Sequence, residues 1–133
     1  MARAILTYGR GWHSLAVCRS LGRQGIEVYC GEEVKFAPCF FSKYCTGHFE
    51  YPSVTDDPEG FIEFMVEKVQ ELKPPDGEPY VLIPIHKETW LFARHRERFE
   101  PHIHVPLTSF EKMERTHDKG QLALLADELG IML

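Results

Sequence analysis

The segment Gly9-Arg10-Gly11-Trp12-His13-Ser14 holds residue types suited to binding a small anion. Glycines let backbone N–H groups approach an anion closely, and a helix beginning after such a loop adds partial positive charge. Arg10 and His13 could add side-chain donors for a carboxylate or a phosphate. A simpler structural interpretation stays open, in which Gly9 and Gly11 only form a tight turn.

A dinucleotide-binding interpretation of the same loop is incomplete. The G-x-G-x-x-G pattern would place a glycine where Ser14 stands, and the bulky Trp12 occupies a crowded position. Glu32 nevertheless lies about twenty residues further on, where an acidic residue would hold a ribose. Nucleotide binding therefore remains an alternative hypothesis.

A second group of polar residues follows the apolar run Tyr80-Val81-Leu82-Ile83 and belongs to the segment Pro84-Ile85-His86-Lys87-Glu88. His86 and Glu88 could form an acid–base pair. Glu88 is equally well placed as a carboxylate in the first turn of a helix. Neither a G-x-S-x-G elbow nor a P-loop pattern occurs in the chain, so no catalytic residue is assigned.

The cysteine spacing argues against a metal site or a redox motif. Neither a CxxC pair nor a zinc-type spacing occurs among Cys18, Cys30, Cys39 and Cys45. Cys18 and Cys30 lie in apolar-patterned segments, which predicts that both are buried free thiols. The sequence therefore indicates a reduced, cytoplasmic protein.

Two of the seven histidines share one face of a predicted strand. His102 and His104 alternate along the chain, so their side chains point the same way. Two ligands do not make a metal site, and no third ligand stands at a suitable spacing beside them. No metal site is predicted.

The elements that must position these residues alternate between strands and helices. The predicted strands are 4–8, 26–30, 49–52 (an edge strand), 80–83 and 102–105. The predicted helices are 15–21, 58–72, 88–99, 110–113 and 119–129, and the predicted N-caps are Ser14, Asp57, Ser109 and Asp118. Residues 36–44 are ambiguous between a short helix and a packed loop. This order predicts an α/β fold: a Rossmann-like open, mostly parallel sheet of four to five strands with helices on both faces.

Composition and charge are those of one globular domain over residues 1–133. The chain is 44% hydrophobic and 26% charged, which is enough to bury a core. Fifteen Lys and Arg against twenty Asp and Glu give a net charge of −5, which argues against nucleic-acid or anionic-membrane partners. No apolar run reaches the roughly 18 residues of a membrane span or fits a signal peptide.

Several segments, taken in order, match a known family. The first are Arg3-Ala4-Ile5-Leu6, Gly9-x-Gly11 and the run 13–28; later ones are Ser42-Lys43-Tyr44, Tyr51-Pro52, Phe61-Ile62, Leu82-Ile83-Pro84, Glu88, Asp118-Lys119 and Glu128-Leu129-Gly130-Ile131. This ordered set covers essentially the whole chain and resembles the start of ATP-grasp proteins. The likeness is greatest to the carboxylate–amine ligase branch, which is related to D-aspartate ligases and carbamoyl-phosphate-synthase-like proteins.

The resemblance implies a pre-ATP-grasp domain, a small Rossmann-like unit on the substrate side of a ligase. The full enzymes use ATP and Mg²⁺ to convert a carboxylate into an acyl phosphate, which an amine-type nucleophile attacks. The implied substrate-binding residues are Gly9, Arg10, Gly11, His13, Ser14, His86 and Glu88. Lys119 would contact ATP phosphates; the alternative is a solvent-exposed lysine in a first helical turn. This chain alone would hold no cofactor and would not catalyse ligation.

The chain also departs from the family pattern. Many members carry a Thr and an Asp-Glu pair after the proline that follows the fourth main strand, whereas here only Pro84 and Glu88 match. The family continues beyond the equivalent of residue 133 into two ATP-grasp lobes. The expected partners are therefore those lobes, in the same protein or a split-gene subunit, and a small carboxylate or amine. An exposed apolar patch that includes Ile131, Met132 and Leu133 is expected where the lobes would pack.

Two alternatives from other functional classes remain. One is a stand-alone Rossmann-like module that binds a nucleotide or small anion in the loop Gly9–Ser14. The other is a non-catalytic domain that docks a partner protein.

Overall fold

The computed structural model describes residues 1–132 and contains an open sheet of four parallel strands. The strands are β1 (Arg3–Leu6), β2 (Glu27–Glu32), β3 (Gly47–Glu50) and β4 (Tyr80–Ile83). Their order is β3-β2-β1-β4, and each neighbouring pair is parallel. The predicted Rossmann-like α/β fold is confirmed, and β3 lies at an edge as predicted.

Within residues 1–132, six α-helices and one 3-10 helix connect and cover the strands. They are α1 (Trp12–Arg23), the 3-10 helix Pro38–Phe41, α2 (Pro58–Glu71), α3 (Glu88–Arg94), α4 (Arg96–Phe99), α5 (Phe110–His117) and α6 (Lys119–Glu128). Three predicted N-caps are confirmed, since the side chains of Asp57, Ser109 and Asp118 each accept a backbone N–H three residues on.

The fourth predicted cap, Ser14, is wrong. Gly11 is the N-cap residue of α1, and Ser14 lies inside the first turn. The Ser14 hydroxyl instead donates to the carbonyl of Thr7 at 3.1 Å, because Ser14 is buried against the end of β1. It therefore ties the helix to the strand rather than capping the helix.

Two predictions in the second half of the chain are also corrected. The predicted helix 88–99 is interrupted at His95, which leaves helical geometry at φ −109° and ψ 28°. The predicted strand 102–105 is reduced to a single bridge between Val81 and His104. Pro101 and Pro106 flank this segment and lack the N–H that would extend a ladder, which explains why the pairing stops there.

The sheet carries an apolar layer on each face, as predicted. One layer contains Ile5 and Leu82 of the sheet and the fully buried Phe61, Phe92 and Phe99 of α2, α3 and α4. The other contains Leu6, Val28 and Cys30 of the sheet with Cys18 of α1 and Cys39 of the 3-10 helix. Alternate residues of each strand thus enter opposite layers, as the period of a strand requires.

The prediction of free buried thiols is correct for Cys18 and wrong for Cys30. Cys18 is free and buried, whereas Cys30 forms a disulfide with Cys39. The 3-10 helix folds back over β2, and the Cys39 N–H donates to the carbonyl of Gly9 at 3.1 Å. This contact depends on the path of the loop, which cysteine spacing does not reveal.

Candidate functional site

The strand order reverses between β1 and β4, and a polar segment follows each of these strands. β1 leads through α1 to β2 on one side, while β4 lies on the other side of β1. Open α/β sheets bind ligands in the crevice beyond the carboxyl ends of such strands. Residues 8–14 leave β1 there and residues 84–88 leave β4, so the two segments singled out in the sequence lie side by side.

Two non-glycine residues at this edge have left-handed backbones and stacked rings. Tyr8 has φ 56° and His86 has φ 69°, a region that costs an L-residue about 1–2 kcal/mol. Their ring centroids are 4.3 Å apart at an interplanar angle of 7°, and the His13 ring lies 5.6 Å from the Tyr8 ring. The Thr7 hydroxyl joins the two strand ends by accepting the Ile85 N–H at 2.8 Å. Because backbone strain concentrates at functional sites, this pair marks the edge as the candidate site.

Arg10 is held by two carboxylates from the end of β2 and the residue that follows it. Each oxygen of the fully buried Glu32 accepts two donors: Arg10 N and Nε on one, Arg10 Nη2 and the Glu33 N–H on the other. Arg10 Nη2 also lies 3.1 Å from Glu33 Oε1. The hydrogen bonds to Glu32 raise the pKa of Arg10. Since its carboxylate is buried and already engaged, Glu32 is not positioned to hold a ribose.

Glu88 is paired with a tyrosine rather than with a histidine. It is the first residue of α3, it is buried, and its Oε2 accepts the Tyr51 hydroxyl at 2.5 Å. The same hydroxyl accepts the Tyr8 N–H at 3.1 Å. Burial raises the pKa of Glu88, and the hydrogen bond from Tyr51 offsets this only in part. Burial, followed by the charge of Glu88, raises the pKa of Tyr51. Glu88 therefore holds the Tyr51 hydroxyl that accepts the Tyr8 N–H. Within residues 1–132, no hydrogen bond joins Glu88 to His86.

The two glycines of the loop have packing roles in this structure. The Gly9 N–H donates to the Gly31 carbonyl at 3.0 Å, which fastens the loop to the end of β2. A Cβ on Gly11 would lie 2.7 Å from the Tyr8 ring, so a side chain there would displace the stacked tyrosine. The tight-turn interpretation thus accounts for both glycines without a ligand.

The predicted binding residues divide into an exposed set and a buried set. The exposed set is Arg10, His13 and His86, and the buried set is Gly9, Gly11, Ser14 and Glu88. His13 and His86 can contact a ligand directly, whereas the Arg10 guanidinium is held by Glu32 and Glu33. The buried residues hold the two loops in place. Trp12, the first residue of α1, adds an indole that is 78% exposed.

A cleft of about 520 Å³ continues from this edge between α3 and α5. Its lining residues are His86, Lys87, Thr89, Trp90, Met113 and His117. Lys119, the predicted contact to ATP phosphates, does not line this cleft; it is the exposed first residue of α6. Its exposure is compatible with both interpretations given for it.

Sequence reasoning missed Tyr8 and Tyr51, the two tyrosines that organise the edge. Tyr8 follows β1 and precedes a glycine, but its left-handed backbone has no sequence signature, because residues other than glycine rarely adopt that conformation. Tyr51 precedes a proline at the end of the predicted strand, and this pattern indicated only an edge strand. It did not reveal that the Tyr51 hydroxyl accepts the Tyr8 N–H.

Comparisons with protein-family models and with curated proteins find no match to this chain. The likeness to ATP-grasp proteins therefore rests on the sequence segments described above. Within the described residues, no helix is both long enough and apolar enough to cross a membrane.

Proposed function

We propose that this chain is the N-terminal, substrate-side domain of an ATP-grasp ligase-like protein and that it binds a small carboxylate or amine. In this proposal, ATP-grasp lobes of the same protein or of a split-gene partner use ATP and Mg²⁺ to form the acyl phosphate that an amine attacks. The observation that carries the proposal is the strained Tyr8–His86 stack at the point where strand order reverses. The ordered sequence segments are the basis for proposing the ATP-grasp family.

The exposed groups at the edge are suited to recognising a carboxylate. His13 and His86 flank the Tyr8 ring and present imidazoles to solvent. Lys87 is exposed beside them and lies 3.3 Å from the Thr55 hydroxyl. The first turn of α1 has no side-chain cap within the described residues, so its backbone N–H groups can donate hydrogen bonds to a bound carboxylate.

The same geometry favours binding over catalysis by this chain alone. The Ser14 hydroxyl is buried and bonded to a backbone carbonyl, and Glu88 is buried against Tyr51. Neither group is positioned to attack a substrate or to exchange protons with one. The chain's contribution is therefore to hold and orient the small carboxylate or amine while the lobes carry out phosphoryl transfer.

Exposed apolar side chains support a packing surface for the lobes. Ile131 is 57% and Met132 is 94% exposed, as expected for the predicted patch, and Leu133 lies outside the described residues. Leu124 and Leu129 on and just after α6 are also exposed. In the assembled enzyme this surface would be covered, and Lys119 at the start of α6 would reach the ATP phosphates.

Titration of the isotope-labelled chain with sodium aspartate, followed by NMR, tests the binding step. We expect amide shifts to change at Tyr8, His13 and His86. The His86→Ala variant should bind aspartate about tenfold more weakly, which corresponds to the loss of one charge-assisted hydrogen bond. His104→Ala is the matched control, because His104 is an exposed histidine in a separate cleft. Shifts that cluster at His104 would contradict the proposed site.

An ATP hydrolysis assay tests the proposal that this chain binds the substrate while separate lobes carry the catalytic groups. The isolated chain should release phosphate from Mg²⁺-ATP no faster than buffer does, with or without aspartate. Robust turnover by the isolated chain would contradict the proposal that the catalytic groups lie in separate lobes.

A further inference from the structure

The cleft between α3 and α5, here called the α3–α5 cleft, combines an apolar wall with basic side chains. Trp90 of α3 and Met113 of α5 supply the apolar part of its lining. The basic part consists of His86, Lys87 and His117. Its volume of about 520 Å³ is that of a small-molecule pocket. A ligand with one apolar group and one anionic group would match both parts of this lining.

The lining of the cleft contains no carboxylate, although the whole chain is acidic. Twenty Asp and Glu against fifteen Lys and Arg give a net charge of −5, yet no Asp or Glu is among the described residues that line the cleft. Glu88, the neighbour of Lys87 in the chain, is buried and accepts the Tyr51 hydroxyl. Within residues 1–132, the Lys87 ammonium has no ion-pair partner and lies 3.3 Å from the Thr55 hydroxyl. Because a cleft lined by one sign of charge attracts the opposite sign, this cleft favours an anion.

Trp90 forms a restrained aromatic wall in the cleft. Its ring is half-buried, with the His117 ring centroid 4.8 Å away and the Phe110 centroid 5.8 Å away, at interplanar angles of 71° and 81°. The Arg94 guanidinium lies over the Phe110 ring at 4.7 Å. These contacts restrain the indole, while the flexible thioether of Met113 can adapt to the shape of a bound group. Such a surface stabilises an apolar group that leaves water.

His86 joins the α3–α5 cleft to the candidate site. Its ring stacks on Tyr8 with centroids 4.3 Å apart, and the same residue lines the cleft beside Lys87. A carboxylate that accepts hydrogen bonds from His86 and Lys87 would therefore have the rest of its molecule next to the cleft. The left-handed backbone of His86 agrees with a role in binding, because backbone strain concentrates at functional sites.

We propose that the α3–α5 cleft binds the side chain of the substrate, and that the substrate is a carboxylic acid carrying an apolar group about the size of one aromatic ring. His86 and Lys87 hold the carboxylate, and Trp90 and Met113 contact the apolar group. A cavity of about 150 Å³ accepts a benzene ring, so the cleft has room for both parts of such an acid. This inference rests on the proposed function, because it assigns a substrate class to the same site.

Two other clefts lack this combination of groups. The cleft lined by His104 also contains three acidic residues, whose charges oppose an anion: Asp76, Glu78 and Glu100. The cleft between α5 and α6 contains Lys112 and Arg115 but no aromatic ring among its described lining residues. The α3–α5 cleft is therefore the one assigned to an apolar acid.

NMR titration of the isotope-labelled wild-type chain with three small ligands tests the assignment. Phenylpropionate has both a ring and a carboxylate, aspartate lacks the ring, and phenylpropanol lacks the carboxylate. We expect phenylpropionate to bind at least about tenfold more tightly than either of the others, because it alone uses both parts of the cleft. It should shift the indole N–H signal of Trp90 and not that of Trp12, and the Trp12→Phe variant identifies which signal is which.

The outcomes separate this inference from the proposed function. If aspartate shifts His13 and His86 but phenylpropionate binds no more tightly, the side-chain pocket is overturned and the proposed function stands. Equal affinities for phenylpropionate and phenylpropanol would overturn the contact with a carboxylate, and an indole shift at Trp12 alone would overturn the location. If neither acid shifts His13 or His86, the proposed function fails together with this inference.

Two tryptophan substitutions on α5 test the location independently. Met113→Trp fills the cleft, so the affinity for phenylpropionate should fall about tenfold while that for aspartate stays the same. Glu114→Trp is the matched control, because Glu114 is exposed on the same helix and does not line the cleft. It should leave both affinities unchanged. Circular dichroism confirms folding, and an undiminished affinity of folded Met113→Trp for phenylpropionate would overturn the proposal.

Discussion

At the scale of single residues, the candidate site depends on side chains whose roles differ from those their types suggest. Arg10 resembles a free anion-binding group, yet Glu32 and Glu33 hold its guanidinium. Tyr8 resembles the end of a strand, yet it adopts a left-handed backbone and stacks on His86. Residue type pointed to the two loops that the structure brings together, whereas hydrogen-bond partners decided which of their atoms remain free.

At His86, a glycine variant should be more stable than an alanine variant, which is the reverse of their usual order of stability in a helix. His86 has φ 69°, so alanine at this position keeps the left-handed strain while glycine relieves it. His86→Gly should be more stable than His86→Ala by about 1 kcal/mol. Urea unfolding measures the difference. The exposed helical position Glu67 is the control, where alanine should be better by about 1 kcal/mol. Equal stability of the two His86 variants would contradict the left-handed backbone.

The buried carboxyl of Glu88 should make stability depend on pH. Burial raises its pKa in the folded chain, so the folded state holds the proton more tightly than the unfolded state does. As the pH rises past the ordinary carboxyl pKa, the unfolded state loses this proton first, and the free energy of unfolding falls until the raised pKa is passed. Glu88→Gln removes this titration and can still accept the Tyr51 hydroxyl.

The stability of Glu88→Gln relative to wild type should therefore increase from about pH 4 to about pH 7. Urea unfolding at the two pH values measures it. The exposed Glu67→Gln should show no comparable change. A relative stability that decreases with pH would mean that the pKa of Glu88 is lowered by folding.

At the scale of elements, local signals located most helices, while contacts with other elements decided their ends. The caps Asp57, Ser109 and Asp118 were predictable because a short polar side chain before an apolar pattern acts locally. The start of α1 was not predictable in this way, because the Ser14 hydroxyl donates to the carbonyl of Thr7 instead of capping the helix. The segment 102–105 has strand-like residues but pairs at only one position.

Gly22 shows how packing between elements overrides helix propensity. A Cβ on Gly22 would overlap the Cβ of Tyr44 and approach its Cγ at 2.9 Å, so α1 fits against the following loop only without a side chain. Gly22→Ala should destabilise the chain by about 1–3 kcal/mol, although alanine is normally the better helix former. Thermal or urea unfolding measures this.

Gly120→Ala in α6 is the matched control for that substitution. The nearest atom to a Cβ there is Asp118 Oδ1 at 3.3 Å, so we expect no loss of stability. Destabilisation at both positions would show that the effect is not specific to the contact between Gly22 and Tyr44.

At the scale of the whole molecule, the sheet is covered on both faces, whereas the helices α5 and α6 contribute few buried side chains. The side chains of α5 are not buried, and Ala126 is the buried side chain of α6. The apolar residues at and after the end of α6 remain exposed. This asymmetry suits a domain that is covered on one side by further protein, as the proposed function requires.

A pair of charge substitutions tests this asymmetry. Met132→Glu should change the free energy of unfolding by less than about 0.5 kcal/mol, because Met132 is 94% exposed. Ala126→Glu should cost about 2 kcal/mol or more, since it places a charge where only 5% of the residue is exposed. Urea unfolding compares the two. A similar loss for both would show that the segment after α6 is covered within this chain.

The sequence by itself determined the fold class, the strands and helices of the first half, and the two loops that meet at the carboxyl edge. Those features follow from apolar periodicity, glycine and proline positions and local caps, which act over a few residues. Only the tertiary structure decided that Tyr8 and His86 stack, that Glu88 bonds Tyr51 and that Cys30 pairs with Cys39. Such pairings depend on strand order and on the path of each loop, which short-range patterns do not encode.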